Sequence, residues 1–379
     1  MLQSRKKVTT SGSERVVCDL MAEAGIQIGG GGTADPEVLH PRFYQRVLSQ
    51  GSLGMGESYM DGDWECEALD QFFAKVLRVG LNRKVISSPG IMARMLAHFL
   101  NPQSLRRSRR VAEVHYDLGN DFYQEMLDPR MQYTCAYWKA SDTLADAQEA
   151  KLDLICRKLQ LRESEHVLEL GGGWGGFARF AAERYGCRVT SYNISTAQVN
   201  FAREYCRGLP VEIRHEDYRN ARGSYDKVVS IGICEHVGDR NYPGFLALKE
   251  RCLKDDGLML LHTIGCPRTK HTSDPWIAKY IFPGGQLPSL RQLTQAAEPY
   301  FTVEDLHNLG ADYDPTLMAW FHNFDHAWHR YREPYGERFY RMWKYYLLSC
   351  AGAFRARSVH LWQIVFSKRG VPGGYLPVR

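Results

Sequence analysis

Short apolar runs alternate with helix-like segments through the second half of the chain. Val167, Leu168 and Leu170 form the first of these runs, and glycines end it sharply. The runs that predict strands cover residues 166–170, 188–193, 211–215, 225–231, 257–264, 301–306 and 360–366. Apolar spacing predicts a helix over 143–159 and one long aromatic helix over 317–350. The alternation predicts an α/β fold with a doubly wound, mostly parallel, seven-stranded sheet.

The first hundred residues show helical spacing instead. Apolar positions predict helices over residues 16–24, 41–50 and 69–77. Residues 51–64 are rich in glycine, which predicts a turn-rich loop there. We therefore expect a small α-rich N-terminal domain over residues 1–100 and a larger α/β domain over residues 101–379.

Composition is that of a globular protein, with 44% hydrophobic residues. The longest apolar runs are far shorter than the roughly 18 residues that a membrane-spanning helix needs. No apolar segment follows the charged start of the chain, so no secretory signal is predicted. The ten cysteines are scattered singly, without Cys-x-x-Cys pairs or zinc-like spacing. We therefore predict reduced thiols, no metal site and a cytoplasmic location.

Positive charge is concentrated in one block. The net charge is +5, yet residues 71–112 contain nine Lys or Arg and no Asp or Glu. An apolar stretch at 91–100 lies within this block, and such a helix can lie in a membrane interface, where each basic residue contributes about 1 kcal/mol. We expect peripheral association with the inner face of a membrane. A solvated helix face or packing against the neighbouring domain is the alternative, and nucleic acid is not expected because no binding motif accompanies the charge.

A glycine-rich turn follows the first predicted strand. Gly171, Gly173 and Gly175 would let the backbone approach a ligand at the carboxyl end of the sheet. No acidic residue ends the second strand, and no Lys-Ser or Lys-Thr pair closes the turn, so neither a dinucleotide nor a Walker A site is favoured. The turn resembles motif I of class I S-adenosylmethionine-dependent methyltransferases, with Asn193 and Gln198 where most of them have an acidic residue. A tight turn without a ligand is the alternative.

Five segments together resemble the cyclopropane-fatty-acyl-phospholipid synthases, and the similarity extends over nearly the whole chain. They cover residues 115–121, 133–138, 171–176, 235–238 and 317–355. One departure is Gly172, where the family often has Cys, and we expect a more flexible turn. The resemblance implies that a methylene group is transferred from S-adenosylmethionine to the cis double bond of an unsaturated phospholipid acyl chain. It also implies a homodimer and an N-terminal domain that associates with lipid at the membrane.

The resemblance also implies a set of site residues. The cofactor-binding residues are Tyr116, Gly171, Gly173, Gly175, Asn193, Gln198, His215 and Glu216. A bound bicarbonate is the implied base, held by Cys135, Glu235, His262, Tyr313 and the backbone of Ile264. Aromatic faces such as Tyr313 and Tyr137 can stabilise a carbocation by cation–π attraction. Cys350 matches a cysteine sometimes named catalytic, but no step needs a thiol nucleophile, so we interpret it as structural.

Three other functions remain open at this stage. A related lipid methyltransferase would give methyl-branched or mycolate-type products, which differ from a ring in hydrogen content. A small-molecule amine N-methyltransferase would share much of the fold without needing bicarbonate. A non-catalytic lipid-binding or membrane-scaffold protein is disfavoured, because the chain retains the site residues of the family.

Overall fold

The computed structural model describes residues 12–81 and 118–379. The predicted boundary between residues 100 and 101 lies outside these ranges. So do Tyr116, the apolar stretch at 91–100 and most of the basic block. Whether the N-terminal segment is a domain of its own therefore stays a prediction.

The N-terminal segment is mainly helical, as predicted. Its elements are α1 (Gly12–Glu23), β1 (Glu37–Val38), α2 (Arg42–Gln50), α3 (Ser52–Met60), β2 (Trp64–Glu65) and α4 (Leu69–Arg78). The loop predicted over 51–64 is wrong, because α3 occupies most of it. Its glycines serve close packing: a Cβ at Gly56 would lie 2.3 Å from Cδ1 of Trp276. Local sequence favours a turn here, and a contact from far along the chain stabilises a helix instead.

In the described part of the chain, seven strands form the main sheet. They are β3 (His166–Leu170), β4 (Arg188–Asn193), β5 (Val211–His215), β6 (Tyr225–Ile231), β7 (Leu253–Gly265), β8 (Thr302–Asn308) and β9 (His360–Ser367). Their order is β5-β4-β3-β6-β7-β9-β8, and only β9 runs antiparallel to its neighbours. This confirms the predicted doubly wound, mostly parallel sheet. The order reverses between β3 and β6, where such sheets bind ligands at their carboxyl ends.

Helices connect and flank these strands. They are α5 (Asn120–Met126), α6 (Leu144–Lys158), α7 (Gly176–Tyr185), α8 (Thr196–Tyr205), α9 (Tyr242–Cys252), α10 (Pro275–Tyr280), α11 (Leu290–Ala297), α12 (Tyr313–Ala327) and α13 (Arg332–Arg355). The single helix predicted over 317–350 is wrong. A 3-10 turn (Trp328–Arg330) separates α12 from α13, and Gly336 has φ of 72° inside α13. A continuous aromatic pattern conceals this break, because both helices turn aromatic residues toward a shared core.

The N-terminal segment packs on α13 and shares one hydrophobic core with it. That core includes Phe73 and Tyr345, whose rings meet edge-on at 5.1 Å. Gly352 of α13 permits the contact, since a Cβ there would lie 2.5 Å from the carbonyl oxygen of Asp70. Arg355 also pairs with Asp70 at 2.5 Å. Burial of apolar surface, supported by this ion pair, therefore fixes α4 against the larger part of the chain.

Within residues 12–81 and 118–379, every helix is too short or too polar to cross a bilayer.

Candidate active site

The glycine turn lies at the carboxyl end of β3 and is fixed by the neighbouring strand. The N–H groups of Gly171 and Gly172 donate to the carbonyl of Tyr192, at 2.9 and 3.2 Å. Gly171 and Gly175 both have φ of 84°, in the region that favours glycine. The turn then leads into α7, whose first N–H groups lack partners within the helix and can bind a polar ligand group.

Asn193 connects the turn to the next predicted cofactor residue. Its amide Nδ2 donates to the carbonyl of Gly173 and to Oε1 of Gln198, both at 2.9 Å. Its Oδ1 accepts from the N–H of Ser195, which caps α8. The structure thus brings Gly171, Gly173, Asn193 and Gln198 together at the carboxyl ends of β3 and β4.

The other predicted cofactor residues lie close by or outside the described residues. His215 ends β5, is exposed, and its Nε2 lies 3.1 Å from the carbonyl oxygen of Ile194. Glu216 follows it and is exposed as well. Tyr116 lies outside the described ranges. Exposed polar groups beside the turn could contact a nucleoside, and their role stays a prediction.

Glu169 is a further candidate residue, which the sequence pattern did not predict. It lies in β3 and is only 3% exposed, and its Oε2 has no hydrogen-bond partner among the described residues. Burial raises its pKa to about 7. A Cβ at Gly172 would lie 2.7 Å from that oxygen and 1.9 Å from Oγ of Ser191. A charged residue inside an otherwise apolar strand was the available signal.

The same geometry corrects the interpretation of Gly172. Its φ is not in the left-handed region, unlike the φ of Gly171 and Gly173 on either side. Conformational freedom therefore does not explain the glycine at position 172. The close approach of Ser191 and Glu169 explains it, because a side chain at 172 would have to displace one of these two residues.

Glu235 and His262 meet at the ends of β6 and β7. Glu235 lies in a 3-10 turn (Cys234–His236) that follows β6, and its Oε1 accepts from the N–H of Ile264 at 2.6 Å. The N–H of Gly232 donates to the carbonyl of His262 at 2.9 Å, which closes the two strand ends together. A backbone group of Ile264 is predicted to complete an anion pocket, and its N–H is already bonded to Glu235.

Both side chains present an unused polar atom. Oε2 of Glu235 and Nε2 of His262 are buried without a hydrogen-bond partner in the described structure. Burial raises the pKa of Glu235 to about 7 and lowers the pKa of His262 well below its ordinary value, so the imidazole is neutral. The Gln363 amide Nε2 lies 3.3 Å from Nδ1 of His262, and with this amide orientation the ring proton is on Nε2. The pair therefore offers one acceptor and one donor.

Cys135 and Tyr313 lie on the same side of the sheet. Cys135 is fully buried, and its thiol lies 3.8 Å from the carbonyl oxygen of Leu309. Tyr313 begins α12 and stacks on Phe354 with ring centroids 4.4 Å apart. Burial, followed by the nearby Cys135 and Glu235, raises the pKa of Tyr313 well above its ordinary value. Both groups therefore keep their protons and can act as donors.

The ring contact found for Tyr137 is with a different residue. Its ring meets that of His307 on the edge strand β8, with centroids 6.0 Å apart. Glu235 and His262, by contrast, lie at the ends of the central strands β6 and β7. The role of Tyr137 toward a carbocation stays a prediction with no supporting contact.

Cys350 lies in α13, where burial raises the pKa of its thiol to about 12. A protonated thiol is a poor nucleophile. We expect Cys350→Ser to keep product formation within about twofold of the wild-type level, because such cysteines are inert. Turnover measured beside the matched variant Cys252→Ser, a buried thiol at the end of α9, provides the check. Loss of turnover in Cys350→Ser alone, with an unchanged unfolding midpoint, would contradict this interpretation.

Comparison with known proteins agrees with this geometry. The family model for mycolic acid cyclopropane synthetase matches residues 103–364. The chain belongs to this family. It is 52% identical over 361 residues to the cyclopropane-fatty-acyl-phospholipid synthase of Escherichia coli (strain K12), covering 95% of this chain and 94% of the relative. It is 32% identical to the tuberculostearic acid methyltransferase UfaA1 of Mycobacterium tuberculosis, covering 90% of this chain and 86% of that protein.

Solved structures of the family have the same fold. The mycolic acid cyclopropane synthase CmaA1, complexed with SAH and CTAB, superposes with a TM-score of 0.65 at 32% identity. The match covers 69% of this chain and 98% of that one. A coclaurine N-methyltransferase superposes with a TM-score of 0.66, but its 22% identity supports the fold alone. The resemblance and the methyltransferase class expected from the sequence are therefore confirmed.

Proposed function

We propose that this enzyme converts the cis double bonds of phospholipid acyl chains into cyclopropane rings, with S-adenosylmethionine as methylene donor. The observation that carries the proposal is the 52% identity to the Escherichia coli synthase over 95% of the chain. The fixed glycine turn fits a nucleoside-containing substrate, and CmaA1 forms a complex with SAH. We assign the turn, Asn193 and Gln198 to this substrate, with Tyr116, His215 and Glu216 as further contacts.

The chain's own residues suit an alkene substrate. An alkene is a weak nucleophile, so it must be aligned with the sulfonium methyl group in a site that excludes water. Methyl transfer leaves a positive carbon on the acyl chain, and aromatic faces stabilise such a charge. Tyr313 lies between Phe354 and Trp320, at centroid distances of 4.4 and 6.0 Å, so its ring is held in one orientation.

Glu235 and His262 fit an anion such as bicarbonate. Oε2 of Glu235 can accept a hydrogen bond from the hydroxyl of that ion, and Nε2–H of His262 can donate to one of its oxygens. The thiol of Cys135 and the phenol of Tyr313 would supply further donors. Bicarbonate, when bound, would supply the base that removes a proton from the new methyl group. The orphaned buried atoms support this assignment, because an unpaired polar group in a protein interior is costly.

We further propose that the enzyme works at the membrane surface as a homodimer. The positive block at 71–112 supports attraction to anionic head groups. Vesicle sedimentation at low and high salt would test this, since binding by basic residues should weaken as salt screens the charge. Equal binding at both salt concentrations would contradict an electrostatic attachment. Sedimentation velocity would test the dimer.

Mass analysis of lipids would test the function itself. The enzyme is incubated with vesicles of unsaturated phospholipid and S-adenosylmethionine labelled at the methyl hydrogens, and the released acyl chains are analysed by mass spectrometry. A cyclopropane product retains two of the three labelled hydrogens of the transferred methyl group. It has two hydrogens fewer than a saturated methyl-branched product. A branched product would favour the chemistry named for the UfaA1 relative. Absence of any labelled lipid would overturn the proposal.

Bicarbonate is tested separately. We expect turnover to fall in carbonate-depleted buffer and to recover when bicarbonate is added back. Unchanged turnover after depletion would remove bicarbonate from the proposal while leaving ring formation intact. The same assay run with Glu235→Gln shows whether any bicarbonate response depends on this carboxylate.

A further inference from the structure

A buried lysine that has no part in the proposed chemistry lies near Cys135 and Glu169. Lys151 of α6 is 0% exposed, although lysine is among the residues least often buried. Its Nζ donates to Oε1 of Gln132 at 2.6 Å and to Oγ1 of Thr134 at 2.8 Å. A buried ammonium group is costly to desolvate, and both hydrogen-bond partners of Lys151 are neutral oxygens rather than a carboxylate that would offset this cost. Stability alone therefore does not explain a lysine at this position.

The lysine is bonded to the segment that carries Cys135. That segment needs external support, because Met131 has φ of 54° and non-glycine residues rarely adopt this region. Asp128 supports its beginning by accepting from the N–H of Gln132 at 2.8 Å. Gln148, one turn of α6 before Lys151, donates to the carbonyl of Thr134 at 2.8 Å. One face of α6 thus fixes this segment on both sides of Tyr133.

Thr134 extends the connection to the other half of the site. Its methyl group lies 2.8 Å from where a Cβ of Gly232 would be, so the threonine side chain packs directly on the backbone of Gly232. Gly232 has φ of 67° and begins the turn that carries Glu235. The hydroxyl of Thr134 faces Lys151 while its methyl group faces Gly232. The threonine is thereby held between the lysine and the glutamate turn.

We propose that Lys151 is a positioning residue, which sets Cys135 and the Glu235 turn relative to each other through Gln132 and Thr134. The expected effect of Lys151 on turnover rests on the proposed function, whereas its expected effect on residues 131–137 does not. Lys151 touches neither substrate in this account. It acts by fixing residues 131–137 in one arrangement relative to the turn that carries Glu235.

The test compares Lys151→Met with Lys158→Met. Lys158 lies two turns later on the same helix, is equally buried, and pairs instead with Asp305 at 3.4 Å. Lys151→Met should lower kcat about 100-fold, because small misplacements of reacting groups have effects of this size. KM for S-adenosylmethionine should change less than about threefold, since the turn that binds it is untouched. Lys158→Met should leave kcat within about twofold.

Hydrogen exchange separates this inference from the proposed function. Backbone amides of residues 128–138 should exchange at least about tenfold faster in Lys151→Met than in Lys158→Met, because local opening costs less free energy. Thr134→Val, which removes only the hydroxyl contact, should give a smaller change in the same direction. Equal exchange in the two lysine variants would overturn the inference, whatever the enzyme makes. If the wild-type protein formed no labelled lipid product, the proposed function would be refuted. The hydrogen-exchange comparison would still decide the role of Lys151.

The pH profile gives a second readout that a merely structural lysine would not move. Burial lowers the pKa of Lys151 to about 8. The titratable groups that face it are Asp128 and Cys135 of the loop, Glu169 of β3 and His262 of β7. Wild-type kcat should fall as the pH rises through 8, because the ammonium group loses the charge that strengthens its hydrogen bonds. Lys158→Met should keep this alkaline decline and Lys151→Met should lack it; a decline retained in Lys151→Met would count against the inference.

Discussion

Glu235→Gln should lower product formation about 1000-fold, because the bicarbonate base would lose the acceptor proposed to hold it, and loss of a base in proton transfer has effects of this size. In the wild-type carboxylate, Oε1 accepts a hydrogen bond from the N–H of Ile264, and the buried Oε2 is free to accept another hydrogen bond. Glutamine can keep the first contact through its carbonyl oxygen. It presents N–H donors where the carboxylate accepts, so it would repel the donor it is proposed to bind. The measurement is labelled product per enzyme at saturating vesicles.

The variant should still bind S-adenosylmethionine. The glycine turn and Asn193 follow β3 and β4, whereas Glu235 follows β6. Calorimetric binding within about threefold of wild type would place the effect on a later step. Glu250→Gln is the matched control, because Glu250 lies on α9, is partly exposed and pairs with Lys368 at 3.4 Å. Product at near wild-type levels in Glu235→Gln would remove this carboxylate from the reaction.

The sheet was the part of the fold that sequence predicts best. The strands β3, β4, β5 and β6 begin and end at the predicted residues. The central strands β3 and β6 are buried along most of their length, as expected of parallel strands covered by helices. β7 starts at Leu253, four residues before its predicted start. Its extension contains exposed Lys254, Asp255 and Asp256, which have no apolar signal. Backbone pairing of Leu253 with Tyr225 determines that end instead.

The missed helix shows why local patterns fail in the N-terminal segment. Gly54 and Gly56 lower the helical propensity of α3 by roughly 1 kcal/mol each. They are needed because Arg46 and Trp276 come too close for any side chain. Glu57 then bonds Lys279 and Tyr280, over 200 residues away. Contacts at such separations outweigh propensity and leave no trace in a short window.

The sequence predicts on which elements the candidate site residues lie, but not how they are connected. Glu235 and His262 stand at strand ends, where the fold gathers polar groups, so the family resemblance and the topology agree. The proton on Nε2 of His262 depends on Gln363 of β9, which runs antiparallel and comes a hundred residues later. The hydrogen bonds from Lys151 to Gln132 and Thr134 depend likewise on tertiary packing. Sequence places such residues on elements, whereas only packing shows which atoms remain unpaired.

The folding stability of the wild-type protein should carry a pH-dependent cost that Glu235→Gln removes. Burial raises the pKa of Glu235 from 4.5 to about 7 in the folded state. Between these values the folded protein binds more protons than the unfolded chain, so the stability that Glu235 contributes falls as the pH rises. Above pH 7 the Glu235 carboxylate is ionised in both the folded protein and the unfolded chain. With 1.36 kcal/mol for each pKa unit, the cost is then on the order of 3 kcal/mol.

Urea unfolding of wild type and Glu235→Gln at a series of pH values would measure this cost. The free energy of unfolding of the variant, relative to wild type, should increase from about pH 4.5 and level off just above pH 7. Glu250→Gln should show a nearly constant difference over the same range, since its carboxylate lies at the surface. A constant difference for Glu235→Gln as well would mean that its carboxylate is solvated in the folded protein. A solvated carboxylate could not serve as the dry acceptor that the proposed reaction requires, so this experiment tests the site without any substrate.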